Sequence, residues 1–333
     1  MKRYAVIIPT FNSARTLDAL LSSLQQQDFA DFETIVVDDA SADDTAAVAA
    51  RYPVRYERIE ERRGPANARN MGVRLSDAAW LVFADADTVF EPDTLRAIDR
   101  MLEISGADAL VGSYAGQPAN DGFAPRYKAL WERCVIDEQI SLNEHGYQRG
   151  NVWAPRPGVI RREAFEKAGG FNTGFCGADL EDVELGHRLS DSGYFIAYAP
   201  SIHIRHHYPP TMRAELKAFA RRCAIWMRMF RNRGKFDSTG ESSPRQAVAH
   251  MLGFGAFVFL PATVFPPAAL VWAVMFLAYA GLNVSFMRAS FLQEKPATAL
   301  LFMLYCWLHS IVLGFAAIYG LLTPRRGESA HGR

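Results

Sequence analysis

Two aspartates one residue apart, Asp85 and Asp87, close the apolar run Trp80 to Ala84 in WLVFADADT. A short apolar block between polar flanks predicts a strand buried on both faces, as in the centre of a parallel sheet. Ligands of open α/β sheets sit at the carboxyl ends of the strands. Carboxylate oxygens suit hard cations such as Mg2+ or Mn2+ held against a substrate's phosphates. Asp is also common in turns after strands, so the pair gains its meaning from the elements around it.

Those elements alternate. Tyr4 to Pro9 reads as a first strand, and Ser13 to Gln27 as a helix with Leu17, Leu20, Leu21 and Leu24 on one face. Phe32 to Val37 reads as a second strand ending in Asp38-Asp39, and Asp43 to Arg51 as a second helix. Gly64 to Arg74 reads as a loop entering a helix, in which Gly64 and Gly72 serve turn geometry and close packing. Pro92 to Ile104 adds a helix and Ala109 to Val111 a strand, and the region up to Gly174 mixes loops with apolar pieces. Strands and helices alternating at this spacing predict βαβ units and a parallel sheet.

The 333 residues allow one large or two modest domains plus an appendage. The 36 basic and 36 acidic residues cancel, which offers no argument for a nucleic-acid partner. Charge is nevertheless unevenly spread: Ala247 to Thr323 is almost wholly apolar. Ala247 to Phe265, Pro266 to Met287 and Thr298 to Leu322 are each near the ~20 residues needed to cross hydrocarbon. Three spans are expected; the first, with His250 and Pro261 inside it, is the weakest, with a re-entrant segment as its alternative. Ahead of this region, Arg213 to Arg233 scans as a helix with Leu216, Phe219, Cys223 and Met227 on one stripe and Arg213, Lys217, Arg221, Arg228 and Arg231 elsewhere. Such a helix suits anionic headgroups, or packs as an ordinary surface helix on the preceding domain. Cys134, Cys176, Cys223 and Cys306 form no CxxC pair, which argues against a zinc site or disulfide framework and fits a reducing compartment. With an N-terminal apolar run too short for a signal peptide, the soluble part is expected in the cytosol. The expected division is 1–212, 213–246 (helix and linker), 247–323 (membrane region) and 324–333 (polar tail).

VIIPTFN, VDDAS, GPANARNMG, FADADT, the GGFN of Gly169 to Asn172 and LEDVELGHRL, in this order over about residues 4–207, resemble the family 2 glycosyltransferases of GT-A fold. The resemblance implies a Rossmann-like mixed sheet with flanking helices, followed here by a helical membrane region. It implies that Pro9, Thr10, Asp38 and Asp39 border the donor's base and ribose, where a carboxylate accepts hydrogen bonds from N–H or hydroxyl groups; capping a helix is the other use for either Asp. Asn67, Arg69 and Asn70 belong to the loop facing the donor, and Arg69 gives bidentate recognition of a diphosphate or else a surface salt bridge. Asp85 and Asp87 flank the divalent ion, with Asp85 also toward the donor. Glu181-Asp182 matches the pair that supplies the inverting base. Asp182 takes the acceptor's proton, although LEDVELGHRL also scans as an exposed helical turn with acids near its start. Asp179 is a nearby alternative carboxylate. His206, with His203 and His207 beside it, falls where some GT-A enzymes complete the metal shell, or ends a strand in solvent.

The resemblance and the apolar region together lead to the expectation of a membrane-anchored inverting transferase, in the inner membrane with its catalytic domain in the cytosol. It moves one sugar from a UDP- or GDP-sugar to a hydroxyl of a lipid-linked or membrane acceptor, with Mg2+ or Mn2+. The QxxRW signature of processive synthases is absent, since ARRCAIW keeps the Arg and Trp but not the Gln or the spacing. The alternatives are transfer to a polyprenyl phosphate, and a non-catalytic assembly subunit of the same fold.

Overall fold

The computed structural model describes every residue except 1, 138–139, 176, 178–179, 239 and 324–333. In chain order the first elements are β1 (Tyr4–Thr10), α1 (Ala14–Gln25), β2 (Phe32–Asp38), α2 (Thr45–Ala49), β3 (Arg55–Arg58), α3 (Pro65–Arg74), β4 (Trp80–Phe83), β5 (Thr88–Phe90), α4 (Thr94–Ser105) and β6 (Ala109–Tyr114). Then come α5 (Phe123–Asp137), β7 (Gln148–Gly150), β8 (Gly158–Arg161), α6 (Arg162–Lys167), α7 (Glu181–Asp191), β9 (Ile196–His206) and α8 (Met212–Arg233). The chain ends in α9 (Pro244–Phe259), a short 3-10 turn (Leu260–Val264), α10 (Pro266–Leu282), α11 (Val284–Gln293) and α12 (Pro296–Leu322). Two compact units form: residues 1–120 with 140–207, and residues 121–139 with 208–333. The segment around α5 thus joins the helical unit, although it precedes half of the sheet in sequence.

In the first unit the strand order is β3-β2-β1-β4-β8-β6-β9-β5, with β7 beside β9. β1 pairs parallel with β2 and β4, and β2 with β3, as alternation predicts. Beyond β4 the sheet becomes mixed, because β8 runs antiparallel to both β4 and β6, and β5 antiparallel to β9. β1 and β4 are buried on both faces, which explains their unbroken apolar runs. On one face Leu17, Leu20, Leu21 and Leu24 of α1 and Ile98 of α4 pack against the sheet. On the other, the Phe83 ring lies 5.5 Å from Trp153, 5.6 Å from Phe165 and 5.1 Å from Phe171. Burying four aromatic rings there fixes the strand end that carries Asp85.

α3 begins as its sequence demands. Gly64 takes a φ of +88°, which disfavours any side chain, and Pro65 opens the first turn. A Cβ at Gly72 would lie 2.4 Å from Cγ2 of Ile7, so α3 sits on β1 at a distance only glycine allows.

In the helical unit, Pro244–Val264 and Pro296–Leu322 are long and apolar enough to cross a membrane by length and composition, with mean hydropathy 1.7 and 2.0. α10 and α11 meet at a 63° bend. The break that is the alternative for the first segment thus falls in the second. Pro261 sits in the terminal 3-10 turn, where it breaks little, whereas Asn283 turns its side chain back to donate to Tyr279 O at 2.9 Å and ends α10. α8 packs along α12, within its own unit.

Candidate active site

Every element that contributes a candidate side chain to this site belongs to the first unit. β4 delivers Asp85 and Asp87 into the turn before β5, where Thr88 donates from N and Oγ1 to Asp85 O at 3.1 and 2.8 Å. The antiparallel pairing of Thr88 with His206 then brings β9 alongside. His206 Nε2 lies 3.3 Å from Asp87 Oδ1, and His207 N donates to Asp87 O at 2.8 Å. Burial works to raise the Asp87 carboxyl, but His206 beside it holds it below the ordinary value. His203 is exposed, with Nδ1 3.0 Å from Ser201 O, whereas His206 and His207 both lie against Asp87.

Arg69 joins this corner to α7. Its guanidinium, almost fully buried, donates from Nη2 to Asp85 Oδ1 and from Nη1 to Glu181 Oε1, both at 2.7 Å. Burial opposes its charge, but the two carboxylates outweigh that and keep it protonated. The Phe171 ring lies under it at 5.2 Å. Its fork is engaged by carboxylates 16 and 112 residues away in sequence, an ion pair that is buried and not at the surface. Burial, and then the charge of Asp87, raises the Asp85 carboxyl against the pull of Arg69.

Glu181 and Asp182 open α7, and Glu184 completes an acidic first turn. Glu181 is buried against Arg69, whereas Asp182 keeps part of its surface open and accepts from Val183 N at 2.8 Å. Burial pushes the Asp182 carboxyl up to about 6, the adjacent Glu181 adds to this, and Arg69 and Arg156 oppose it. α7 is set by contacts that tolerate little movement. A Cβ at Gly186 would come 2.3 Å from the Trp153 nitrogen. Arg188 donates to Gly170 O at 2.6 Å and to Glu184 at 2.7 and 2.9 Å, tying the helix to the glycine turn of GGFN. Arg156, close enough to act on Asp182 and 5.6 Å from the Tyr114 ring, was not singled out by sequence. Arg188 was legible only as a residue four positions after Glu184. Asp179 lies outside the described residues.

The remaining expected donor contacts resolve differently. Asp38 is fully buried, accepting from Ser41 N at 2.8 Å and from Tyr56 Oη at 2.5 Å. Asp39 is nearly so, accepting from Arg63 N and Gly64 N at 2.7 Å each. Both carboxylates hold loops, Asp38 through a backbone and a tyrosine donor and Asp39 through two backbone donors. Asn70 likewise clamps Phe171, donating to its O at 2.8 Å and accepting from its N at 2.9 Å. Thr10 is buried with Oγ1 3.4 Å from Val37 O, and Pro9 is half-buried beside it. Asn67 donates to Arg63 O at 2.7 Å and lines an open groove of about 480 Å3 with Arg58, Glu60, Arg63, Met71 and Arg74.

Among the described residues, no three His, Cys, Asp or Glu side chains form a ready-made metal cage. The set present, two aspartates at a strand end with one histidine, nonetheless fits Mg2+ or Mn2+. Such ions take one or two carboxylates and fill their remaining positions with substrate phosphates and water.

Residues 5–169 match the family described as glycosyl transferase family 2. An uncharacterised glycosyltransferase of Haemophilus influenzae is 29% identical over 197 residues, 58% of this chain and 64% of that protein. A PGL/p-HBAD biosynthesis glycosyltransferase of Mycobacterium bovis is 38% identical over 154 residues, 44% of this chain and 59% of its own length. The chain thus spans less than two thirds of these relatives. Among solved structures, mannosyltransferase PcManGT from Pyrobaculum calidifontis, in complex with GDP-Man and Mn2+, superposes with a TM-score of 0.57 at 20% identity, covering 96% of this chain and 87% of that one. At that identity the likeness establishes the fold, a GT-A mixed sheet.

Proposed function

The chain carries a glycosyl transferase family 2 domain, and from that premise we propose that it transfers a single sugar, with inversion, from a nucleotide-diphosphate sugar to a hydroxyl of a lipid-linked or membrane acceptor. The observation that carries this is the Arg69 bridge, 2.7 Å from both Asp85 and Glu181, which joins the strand-end carboxylates to the helix presenting Asp182. A leaving-group corner and a proton acceptor stand on either side of one buried cation.

Asp182 removes the proton from the acceptor hydroxyl while its oxygen attacks the anomeric carbon on the face opposite the diphosphate. The new C–O bond forms as the bond to the diphosphate breaks, and the nucleoside diphosphate departs. Asp85, Asp87 and His206 would hold a divalent ion, which when bound offsets charge building on the leaving diphosphate. Glu181 is paired with Arg69 at 2.7 Å and so acts as a positioning residue. A carboxylate raised to about 6 is suited to the task, because it remains ionised near neutral pH yet binds a proton readily. The nucleoside is placed at the ends of β1 and β2, beside Pro9 and Thr10, on loops that Asp38 and Asp39 brace, with Asn67 at the groove alongside.

A structural neighbour supports a sugar-nucleotide donor: PcManGT is in complex with GDP-Man. The apolar helices support a membrane acceptor, and we place the protein in the inner membrane with this domain in the cytoplasm. The test is to screen the purified full chain against UDP- and GDP-sugars for thermal stabilisation with and without Mn2+, then to supply the stabilising donor in labelled form to membrane extracts. Stabilisation by one donor class, and label in the lipid fraction that EDTA abolishes, is expected. Stabilisation by none of the sugars, with no labelled lipid, would favour a non-catalytic subunit.

A further inference from the structure

The length and composition of the C-terminal helices suggest crossings, but the neighbours of those helices do not. α12 is shadowed along most of its length by charged helices of its own unit. On α5, Phe123 and Tyr127 pack edge-to-face with Phe302 at 5.0 and 5.5 Å, Trp131 lies 4.8 Å from His309, and Arg126 pairs with Glu294 at 3.0 Å. On α8, Phe219 lies 3.9 Å from His309, Cys223 meets Leu313 O at 3.7 Å, and Arg231 donates to Leu321 O at 2.9 Å. Gly320 of α12 leaves room for Ala224, whose oxygen would be 2.5 Å from a Cβ there. These flanking helices bring Lys128, Glu132, Glu215 and Arg231 with them, and Lys128 is 2.7 Å from Glu241 in a buried cluster. A perpendicular α12 would draw this set of charges into hydrocarbon, where charged side chains are strongly disfavoured.

α9 follows the same direction. His250 meets Ser310 at 3.0 Å and Phe257 meets Phe315 at 6.3 Å, so the two helices advance together. α10 returns along α9, and Arg245 closes the base of that hairpin by donating to Leu282 O at 3.4 Å. No Asp, Glu, Lys or Arg occurs from Gln246 to Met287, and the hairpin tip exposes Val264 (77%) and Phe265 (68%). A turn emerging into water on a far side would be expected to carry polar groups. Met251, Leu270, Leu277, Leu292 and Leu322, from four helices, are exposed by 67 to 78%. The basic side chains of Arg213, Lys217, Arg221 and Arg231 are exposed on α8.

We propose that the helical unit is a monotopic anchor. α9, α10 and α12 lie within one leaflet, α8 sets its basic residues among anionic headgroups, and the chain leaves the bilayer on the side it entered. This rests on the reading that the unit is membrane-bound, which a separate arm tests.

Tags are placed at both termini of the full chain, and Val264→Cys is made in it. Membrane vesicles of both orientations are then treated with protease and with an impermeant maleimide, using the wild type to give the labelling background of the native cysteines. Both tags are expected to be cut from the same face, with Val264→Cys at background from either face until detergent is added. Tags on opposite faces, or Val264→Cys labelled from either face without detergent, would overturn the proposal. Carbonate washing separates the two ideas. Release of the chain by carbonate means that it is not embedded at all, whereas retention together with tags on opposite faces means that it is embedded but crosses. In flotation with liposomes, replacing neutral lipid by a third anionic lipid is expected to raise the bound fraction severalfold for wild type and to lose most of that gain in R213E/K217E/R221E. Equal binding of this triple variant to both lipid mixtures, with the wild-type gain absent as well, would remove the headgroup role of α8.

Discussion

Arg69 is the residue on which the site's electrostatics turn, because one buried cation balances two carboxylates that would otherwise repel each other and resist burial. Arg69→Ala is expected to destabilise the fold by about 3–5 kcal/mol, the scale of orphaning a buried charge; chemical denaturation checks this, and a loss under about 1 kcal/mol would contradict it. Asp182 has the opposite character. Its carboxyl is harder to ionise in the folded chain than in the unfolded one, so its contribution favours folding at low pH and is lost as pH rises through about 6. An asparagine at this position never ionises, so Asp182→Asn should gain on the order of 1 to 2 kcal/mol above pH 6, read as a higher Tm, while losing activity. Wild-type turnover should in turn fall as pH drops below about 6, because a base must be unprotonated to act. Asp87→Asn removes charge at nearly constant shape, and should keep the fold while losing turnover; full activity of that variant in EDTA would refute the role given to Asp87. The placement of Asp85 and Asp87 after a buried strand, and of Asp182 near a helix start, was legible in the sequence. The uses of Arg69, Asp38 and Asp39 were not, since their partners lie 16 to 112 residues away or are backbone groups that no pattern names.

The elements hold these residues through close approaches that only small side chains permit. Gly186→Ala would force α7 off the Trp153 backbone, which cannot yield as a flexible side chain would. The expected cost is about 1–3 kcal/mol, with kcat falling at least tenfold as Asp182 moves, measured by denaturation and initial rates. A wild-type kcat in a destabilised variant would mean that the placement of α7 is not critical. Long elements with clear periods, such as β1, α1 and α4, were readable to within a few residues, and the four-residue β4 was readable from its unbroken apolar run. β3, β5, β7 and β8, of three or four residues each, offer too few positions for a period to show. α5 was missed for another reason. Its FAPRYKALWERCVID interleaves aromatic and charged residues because it packs on other helices while carrying a buried lysine, so no single apolar stripe stands out.

At the scale of the whole molecule, a mixed-sheet domain whose carboxylates gather on Arg69 is joined in one chain to helices that suit a bilayer. The sequence marked the apolar region by composition, but composition cannot distinguish a helix crossing the bilayer from one lying in it. That difference depends on which helices flank it, here α5 and α8. The central claim is that Asp182 serves as base for a hydroxyl acceptor, and the two acceptor chemistries separate it cleanly. A hydroxyl must lose a proton during attack, whereas a phosphate is already ionised near neutral pH and needs no base. Membranes and labelled donor are offered to wild type and to Asp182→Asn, and the linkage in the labelled lipid is determined. The expected result is a sugar joined through a hydroxyl oxygen, with the variant slower by ~10^2-fold or more. A sugar joined directly to polyprenyl phosphate, made at similar rates by both proteins, would contradict both the acceptor class and the role of Asp182.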